Sequence, residues 1–294
     1  MTARSPWHIP AHKQRTVTLN KKVRLNNQEP LAFIGGPCAL ESLDHARMLA
    51  DELCRLTDKH NVGFIFKGSF DKANRSKSTS PRGIGIDEGL KILAAIRQEY
   101  GCPVLTDVHE AAQCVPVAQA VDILQIPAFL CRQTDLLHAA AATKKAINIK
   151  KGQFMAPWDI AHVIDKVAQQ GNSTILITER GSSFGYNTLV NDMRALPFMV
   201  RMGYPVVFDA THSVQSPGGR QGEGQSGGER DAIEPLARAA VAVGVACLFA
   251  EVHQDPDNAP SDGANMLNLK TIDTLLAHVT AIDSLVKKDL SCIK

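Results

Sequence analysis

Short apolar, β-branched runs alternate along the chain with longer stretches in which apolar residues recur every three or four positions. The runs predict strands at Leu31–Gly36, Val62–Lys67, Val104–Val108, Ile123–Ile126, Ala146–Ile149, Thr174–Thr178, Val206–Asp209 and Ala246–Glu251. Most are continuous rather than alternating, the pattern of strands covered on both faces, as in a parallel sheet. The longer stretches predict helices. Ser42–Lys59 opens with Ser42 as N-cap ahead of Leu43, Ala46 and Leu49, and Asp87–Tyr100 lines up Leu90, Leu93 and Ile96 on one stripe. Thr134–Thr143, Asp159–Gln169, Glu229–Val243 and Thr271–Val286 follow the same period, and Asn187–Met202 follows it more weakly.

Eight strands alternating with helices imply βαβ units and a parallel sheet. In a chain of 294 residues they suit an α/β fold of the (β/α)8 TIM-barrel type, with a doubly wound open sheet as the structural alternative. Val17–Leu25 places an Asn-Lys-Lys turn between two β-prone pieces and predicts a short N-terminal hairpin under the barrel. No composition shift marks a linker. One barrel domain over 1–294 is expected, with 1–30 as an extension carrying the hairpin and 31–288 as the barrel.

Composition narrows the function classes. Lys plus Arg number 32 and Asp plus Glu 30, a net charge of +2, so no general field attracts nucleic acid or a membrane surface. The longest apolar run, Ala239–Ala250, is closed by Glu251 and is too short to span a bilayer. Residues 1–30 hold no apolar signal core, so a cytoplasmic location is expected. The seven cysteines are odd in number and include no CxxC, which argues against a disulfide framework. Neither a P-loop nor a dinucleotide fingerprint occurs, and no GxSxG motif is expected, so a serine-hydrolase reading has no support.

Polar residues close most of the predicted strands, and in a barrel all such ends face one mouth. Lys67, Lys150 and Arg180 stand at three of them. Lys72 lies in the long polar stretch Ser69–Gly85, and a second long stretch, Ser213–Gly228, is rich in Gly, Gln and Ser. Loops of this length in a compact domain are usually functional. Four cations in one cleft repel one another unless an anion neutralises them, so a small ligand with several negative charges is the expected occupant. Lys72, Asn74, Arg75 and Ser76 offer donors for a further phosphate. Singly, Cys38 reads as a small buried hydrophobe, His212 as a loop histidine and Glu251 as an ion-pair partner. Together with Asp262 at one barrel mouth they make a mixed sulfur, nitrogen and oxygen site for a divalent transition metal.

Several segments, taken in order, resemble the 3-deoxy-D-manno-octulosonate 8-phosphate synthase family. They are GGPCALES (Gly35–Ser42), FKGSFDKANRS (Phe66–Ser76), TDVHE (Thr106–Glu110), LQIPAFLCRQTDLL (Leu124–Leu137), INIKKGQF (Ile147–Phe154), ERGSSFGYNTLVNDM (Glu179–Met193), FDATHSVQSPGG (Phe208–Gly219) and EVHQDPDNAPSDG (Glu251–Gly263). The resemblance implies condensation of phosphoenolpyruvate with D-arabinose 5-phosphate and water, releasing phosphate, for lipopolysaccharide synthesis. It implies that Lys150 and Arg180 hold the phosphoenolpyruvate phosphate, that Lys67 and Lys72 hold its carboxylate, and that Ser69, Gln125 and Ala128 complete the subsite. Asn74, Arg75 and Ser76 would take the aldose phosphate, and Arg132 would reach a neighbour's site in a homotetramer. The family has metal-dependent and metal-independent branches, the latter with Asn at the position of Cys38. The resemblance therefore implies Cys38, His212, Glu251 and Asp262 as ligands of Zn²⁺, Fe²⁺, Mn²⁺ or a similar ion. A related synthase acting on erythrose 4-phosphate, with KPRTS-like residues in place of KANRS, and a non-catalytic sugar-phosphate-binding barrel are the alternatives.

Overall fold

A computed structural model describes residues 11–74, 82–218 and 227–292. The expected barrel is present. Its strands are β1 (Ala32–Gly36), β2 (Gly63–Lys67), β3 (Val104–Asp107), β4 (Ile123–Ile126), β5 (Ala146–Lys150), β6 (Ile175–Glu179), β7 (Val206–Asp209) and β8 (Cys247–His253). Each pairs in parallel with the next. The β8–β1 pairing, with Cys247 opposite Ala32, and the β7–β8 pairing, with Val207 opposite Cys247, close the circle.

Helices α1 (Leu43–Lys59), α2 (Ile86–Tyr100), α3 (Cys114–Ala120), α4 (Thr134–Ala142), α5 (Ile160–Ala168), α6 (Ala195–Val200), α7 (Ile233–Val243) and α8 (Ile272–Cys292) fill the connections. Ser42 caps α1 by accepting from the His45 amide, as its position implies. Two helical expectations need correction. α3 departs from the sequence pattern: its segment Cys114-Val-Pro-Val carries two β-branched valines and Pro116, but the proline falls in the first turn, where the helix tolerates it. The span 187–202 contains only the six-residue α6, because Leu189–Val190 instead pairs antiparallel with Ser182–Ser183.

The core has two shells. The outer one lies between strands and helices and includes Phe33, Leu49, Leu53, Leu93, Ile96 and Leu124. The inner one fills the barrel with Ile34, Ile65, Leu105, Ile123, Leu176, Val207 and Phe249. The hairpin Val17–Thr18 with Arg24–Leu25 packs Val17, Val23 and Leu25 against this inner shell and stoppers the N-terminal end of the barrel. Just beyond it Asn27 latches the hairpin to the barrel, donating to the Tyr204 carbonyl and accepting from the Val206 amide.

The alternation of a strand places residues two apart on one face. The step after Ile65 on the inner face is therefore Lys67. After Leu105 it is Asp107, after Ile123 Gln125, after Val207 Asp209, and after Phe249 Glu251. The barrel is apolar at the hairpin end and polar at the mouth because these five strands switch character at one level. Leu25 is fully buried against the inner shell. Leu25→Ala is expected to lower unfolding free energy by about 2–5 kcal/mol in urea titration, as for other buried leucines. A change within error would mean that the hairpin does not hold the barrel.

Candidate functional site at the barrel mouth

The mouth encloses a cavity of about 810 Å³ lined by Lys67, Lys72, Lys150, Arg180, His212, Glu251 and Asp262, with Asn74, Gln125 and Ala128 at its wall. The four expected cations thus converge. Their electrostatics differ from the expectation of a bare cationic cleft, because the protein supplies its own counter-charges. The Lys67 ammonium, nearly fully buried, donates to Glu251 Oε1 at 2.6 Å and to the carbonyls of Cys38 and Pro37 at 2.8 and 3.2 Å. Lys72 stands 3.7 Å from the same carboxylate and donates to Ser69 Oγ at 3.1 Å. Lys150 donates to Asp209 and lies 3.4 Å above the centre of the Phe249 ring. Arg180 donates to Gln215 Oε1 at 2.7 Å, while its Nη1 is buried with no hydrogen-bond partner.

A buried polar chain braces one wall. Ser69 and Gln125 both donate to Asp107 Oδ1, Asn148 donates to Gln125, and Thr178 donates to Asn148. The links from Asp107 to Thr178 join neighbouring strands, so the register of the sheet sets the position of Gln125. The carboxylates are held ionised. Burial alone would push Asp209 up, but the neighbouring His212 and Lys150 outweigh it and hold the group well below the usual range. Burial likewise opposes, and Lys67, His212 and Lys72 override, at Glu251. Asp107 follows the same pattern beside His109, Lys72 and Lys67.

The candidate metal ligands gather in part. Ligand atoms of Cys38, Glu251 and Asp262 lie within 4.8 Å of one another, and Cys38 Sγ donates to Asp262 Oδ2 at 3.2 Å. Asp262 reaches this place from a left-handed backbone conformation at φ 52°. Gly36, at φ +150°, lets the turn bearing Cys38 pass close to the Lys67 carbonyl, where a Cβ would lie 2.0 Å away. His212 stands beside the group. Its Nδ1 lies 2.7 Å from Asp209 Oδ2 and its Nε2 3.7 Å from Glu251 Oε2. The Asp209 charge favours the proton on Nδ1, although the contact lacks hydrogen-bond geometry, and the Nε2 lone pair faces a carboxylate oxygen that is likewise buried without a hydrogen-bond partner. Thiol, imidazole and two carboxylates, with acceptor facing acceptor, form a donor set that fits a divalent transition metal. Burial first, and then the Glu251 charge, push the Cys38 thiol well above its ordinary value.

Arg75 and Ser76 lie outside the described residues, as does 219–226 of the Gln- and Gly-rich stretch. Arg132 is exposed and does not line this chain's cavity. Asp209, Asp107 and Gln215 are central to the site without having been assigned roles from sequence. Asp107 and Asp209 carried a signal as strand-end acids, but their partners depend on barrel closure. Gly181–Gly185 carries the letters GxSxG, contrary to expectation. Ser183 lies in the short strand paired with Leu189, not on the strand-to-helix elbow that hydrolase chemistry needs.

Two outcomes follow from the buried pairs. Lys150→Met leaves Asp209 without its ammonium, and a loss of about 3–5 kcal/mol in urea unfolding is expected beyond any effect on turnover; an unchanged midpoint would show the pair to be dispensable. The three carboxylates have folded values below their unfolded ones, so the stability they contribute is full above the unfolded value of about 4 and is lost progressively as pH falls from there through the lower folded values. Unfolding free energy is expected to decline steadily below about pH 4. A flat profile there would contradict the pairing.

The profile of the DAHP synthetase I family matches residues 11–288. A Brucella ovis protein named 2-dehydro-3-deoxyphosphooctonate aldolase is 56% identical over 276 residues, covering 92% of this chain and 99% of the relative. A Brucella melitensis biotype 1 protein of the same name gives the same values. A Brucella abortus protein, again of that name, is 55% identical over the same shares. With the profile spanning nearly the whole barrel and relatives this similar from end to end, the chain belongs to the DAHP synthetase I family.

Proposed function

We propose that this barrel condenses phosphoenolpyruvate with D-arabinose 5-phosphate and water to give 3-deoxy-D-manno-octulosonate 8-phosphate and phosphate. The observation that carries the reading is the convergence of Lys67, Lys72, Lys150 and Arg180 on one cavity with Glu251 and Asp262, whose carboxylates also lie beside Cys38. The names of the Brucella relatives agree with it. The product would enter lipopolysaccharide synthesis, in the cytoplasm. Among the described residues no helix is long and apolar enough to cross a membrane.

In this reading Lys150 and Arg180 take the phosphate of phosphoenolpyruvate and Lys67 and Lys72 its carboxylate, beside Ser69, Gln125 and Ala128. The free Nη1 of Arg180 is a donor already placed for that anion. Asn74, Arg75 and Ser76 take the aldose phosphate. Held this way, the enol carbon attacks the aldehyde carbon, charge grows first on the aldehyde oxygen, which takes up a proton, water adds to the adjacent carbon with loss of a proton, and the resulting hemiketal phosphate breaks its carbon–oxygen bond to release phosphate and leave the ketone. Fixing both anions in attack geometry within a pocket of oriented charges supplies most of the barrier reduction. Cys38, His212, Glu251 and Asp262 would hold Zn²⁺, Fe²⁺, Mn²⁺ or a similar ion, whose Lewis acidity serves polarisation of an oxygen or activation of water. Asp209 orients His212, and Lys67 fixes the Glu251 carboxylate and the Cys38 carbonyl.

A homotetramer is part of the proposal. Phe129, Phe154, Phe184 and Tyr186 follow successive strands at the mouth and are more than half exposed, an apolar rim suited to a second copy, and Phe129 lies three positions before Arg132.

Phosphate release should be followed with phosphoenolpyruvate and either aldose phosphate. Turnover with arabinose 5-phosphate far exceeding that with erythrose 4-phosphate is expected, and the reverse order would assign the related reaction. Metal uptake must displace the raised Cys38 proton, so metal affinity, measured by chelator competition, should rise with pH. Cys38→Asn should lower metal content and leave some chelator-resistant activity. Wild-type protein fully active when shown to be free of metal would leave Cys38 an ordinary buried thiol.

A further inference from the structure

Away from the cavity lining, at the seam of β8 and α1, a second group of potential ligands has formed. Atoms of Glu41, His45 and His253 lie within 4.8 Å of one another. Glu41 directly precedes the α1 N-cap, His45 lies in the first turn of α1 and His253 ends β8. The two imidazole rings are 4.9 Å apart at their centres. The His253 side chain is 4% exposed and that of His45 10%, whereas Glu41 at 35% opens the group to solvent on one side.

The hydrogen bonds set the protons. His45 Nε2 lies 2.8 Å from Gln254 Oε1, an acceptor, so the ring proton is on Nε2 and Nδ1 presents a lone pair. That Nδ1 is buried with no hydrogen-bond partner and faces Glu41 Oε1 at 3.5 Å. A buried lone pair thus meets a carboxylate oxygen on the solvent side, an acceptor-to-acceptor contact that a bound cation would relieve. His253 Nε2 contacts the same carboxylate oxygen at 2.8 Å.

We propose that Glu41, His45 and His253 form a second divalent-metal site, of the Zn²⁺ class, distinct from the Cys38 cluster. Two imidazoles and a carboxylate with one open side are a donor set that such ions accept. Gln254 fixes the His45 tautomer as an outer partner. The site is the weaker of the two. His253 Nδ1 accepts from the Asp255 amide at 3.0 Å, so ligation through Nε2 moves the ring proton to Nδ1 and gives up that hydrogen bond, with no net proton released. The Cys38 cluster has the softer, more anionic donors and fills first.

The proposal does not rest on the function read at the mouth. Co²⁺ titrated into the metal-free full chain distinguishes the sites, because only the Cys38 cluster gives thiolate-to-cobalt charge-transfer absorption. Wild type should bind two equivalents, the first with that absorption and the second with weak d–d bands alone. His45→Gln should retain the first and lose the second, and Glu41→Gln should weaken the second at least tenfold. Cys38→Ser should lose charge transfer and keep the His45-dependent equivalent. A single thiolate-bound equivalent in wild type, or a second one that survives His45→Gln, overturns the proposal. Absence of charge transfer with the His45-dependent equivalent intact counts against the Cys38 cluster alone.

Discussion

The contact between Lys67 and Glu251 organises the barrel mouth. Two charges, both nearly free of solvent, meet at 2.6 Å, and the same ammonium holds the carbonyls of Pro37 and Cys38. One side chain thereby fixes β2, β8 and the turn after β1 relative to one another. Desolvating such a pair offsets much of its attraction, so its contribution lies in position more than in stability. It points one carboxylate oxygen at the cations and leaves the other facing His212.

The carboxylates of the mouth therefore have two functions. Glu251 and Asp209 neutralise Lys67 and Lys150 while no ligand is bound, and both also set the surroundings of His212. Under the proposed reaction, an anion at Lys150 would compete with Asp209 for the ammonium and share a charge already in place. Phe249 lies beneath both lysines and closes the floor against the hairpin-filled end of the barrel. Chemistry at the mouth and packing at the base are thus two levels of the same strands.

Much of this was legible in the sequence, for identifiable reasons. A covered parallel strand is a short apolar run, so each of the eight strands was found within two residues at either end. Polar residues ending those runs mark Lys67, Lys150 and Arg180 without reference to the fold. Pairing was not legible. Cys38 meets Asp262 across 224 positions and Lys67 meets Glu251 across 184, and only barrel closure brings them together. Asp209 could be read as a strand-end acid but not as the partner of both Lys150 and His212. α3 was missed because valine and proline mask a helix whose formation is decided by packing of Val117 and Ala118. His45 and His253 have no shared motif, and their proximity follows from β8 lying beside β1.

The central claim is that one carboxylate, Glu251, joins the anion pocket to the metal ligands. Anomalous diffraction from crystals loaded with Mn²⁺ and phosphoenolpyruvate tests it most directly. The account predicts a metal peak in direct contact with Cys38, His212, Glu251 and Asp262, and a phosphate held by Lys150 and Arg180 in the same cavity. A peak remote from Glu251, or a phosphate bound away from Lys150 and Arg180, would contradict it.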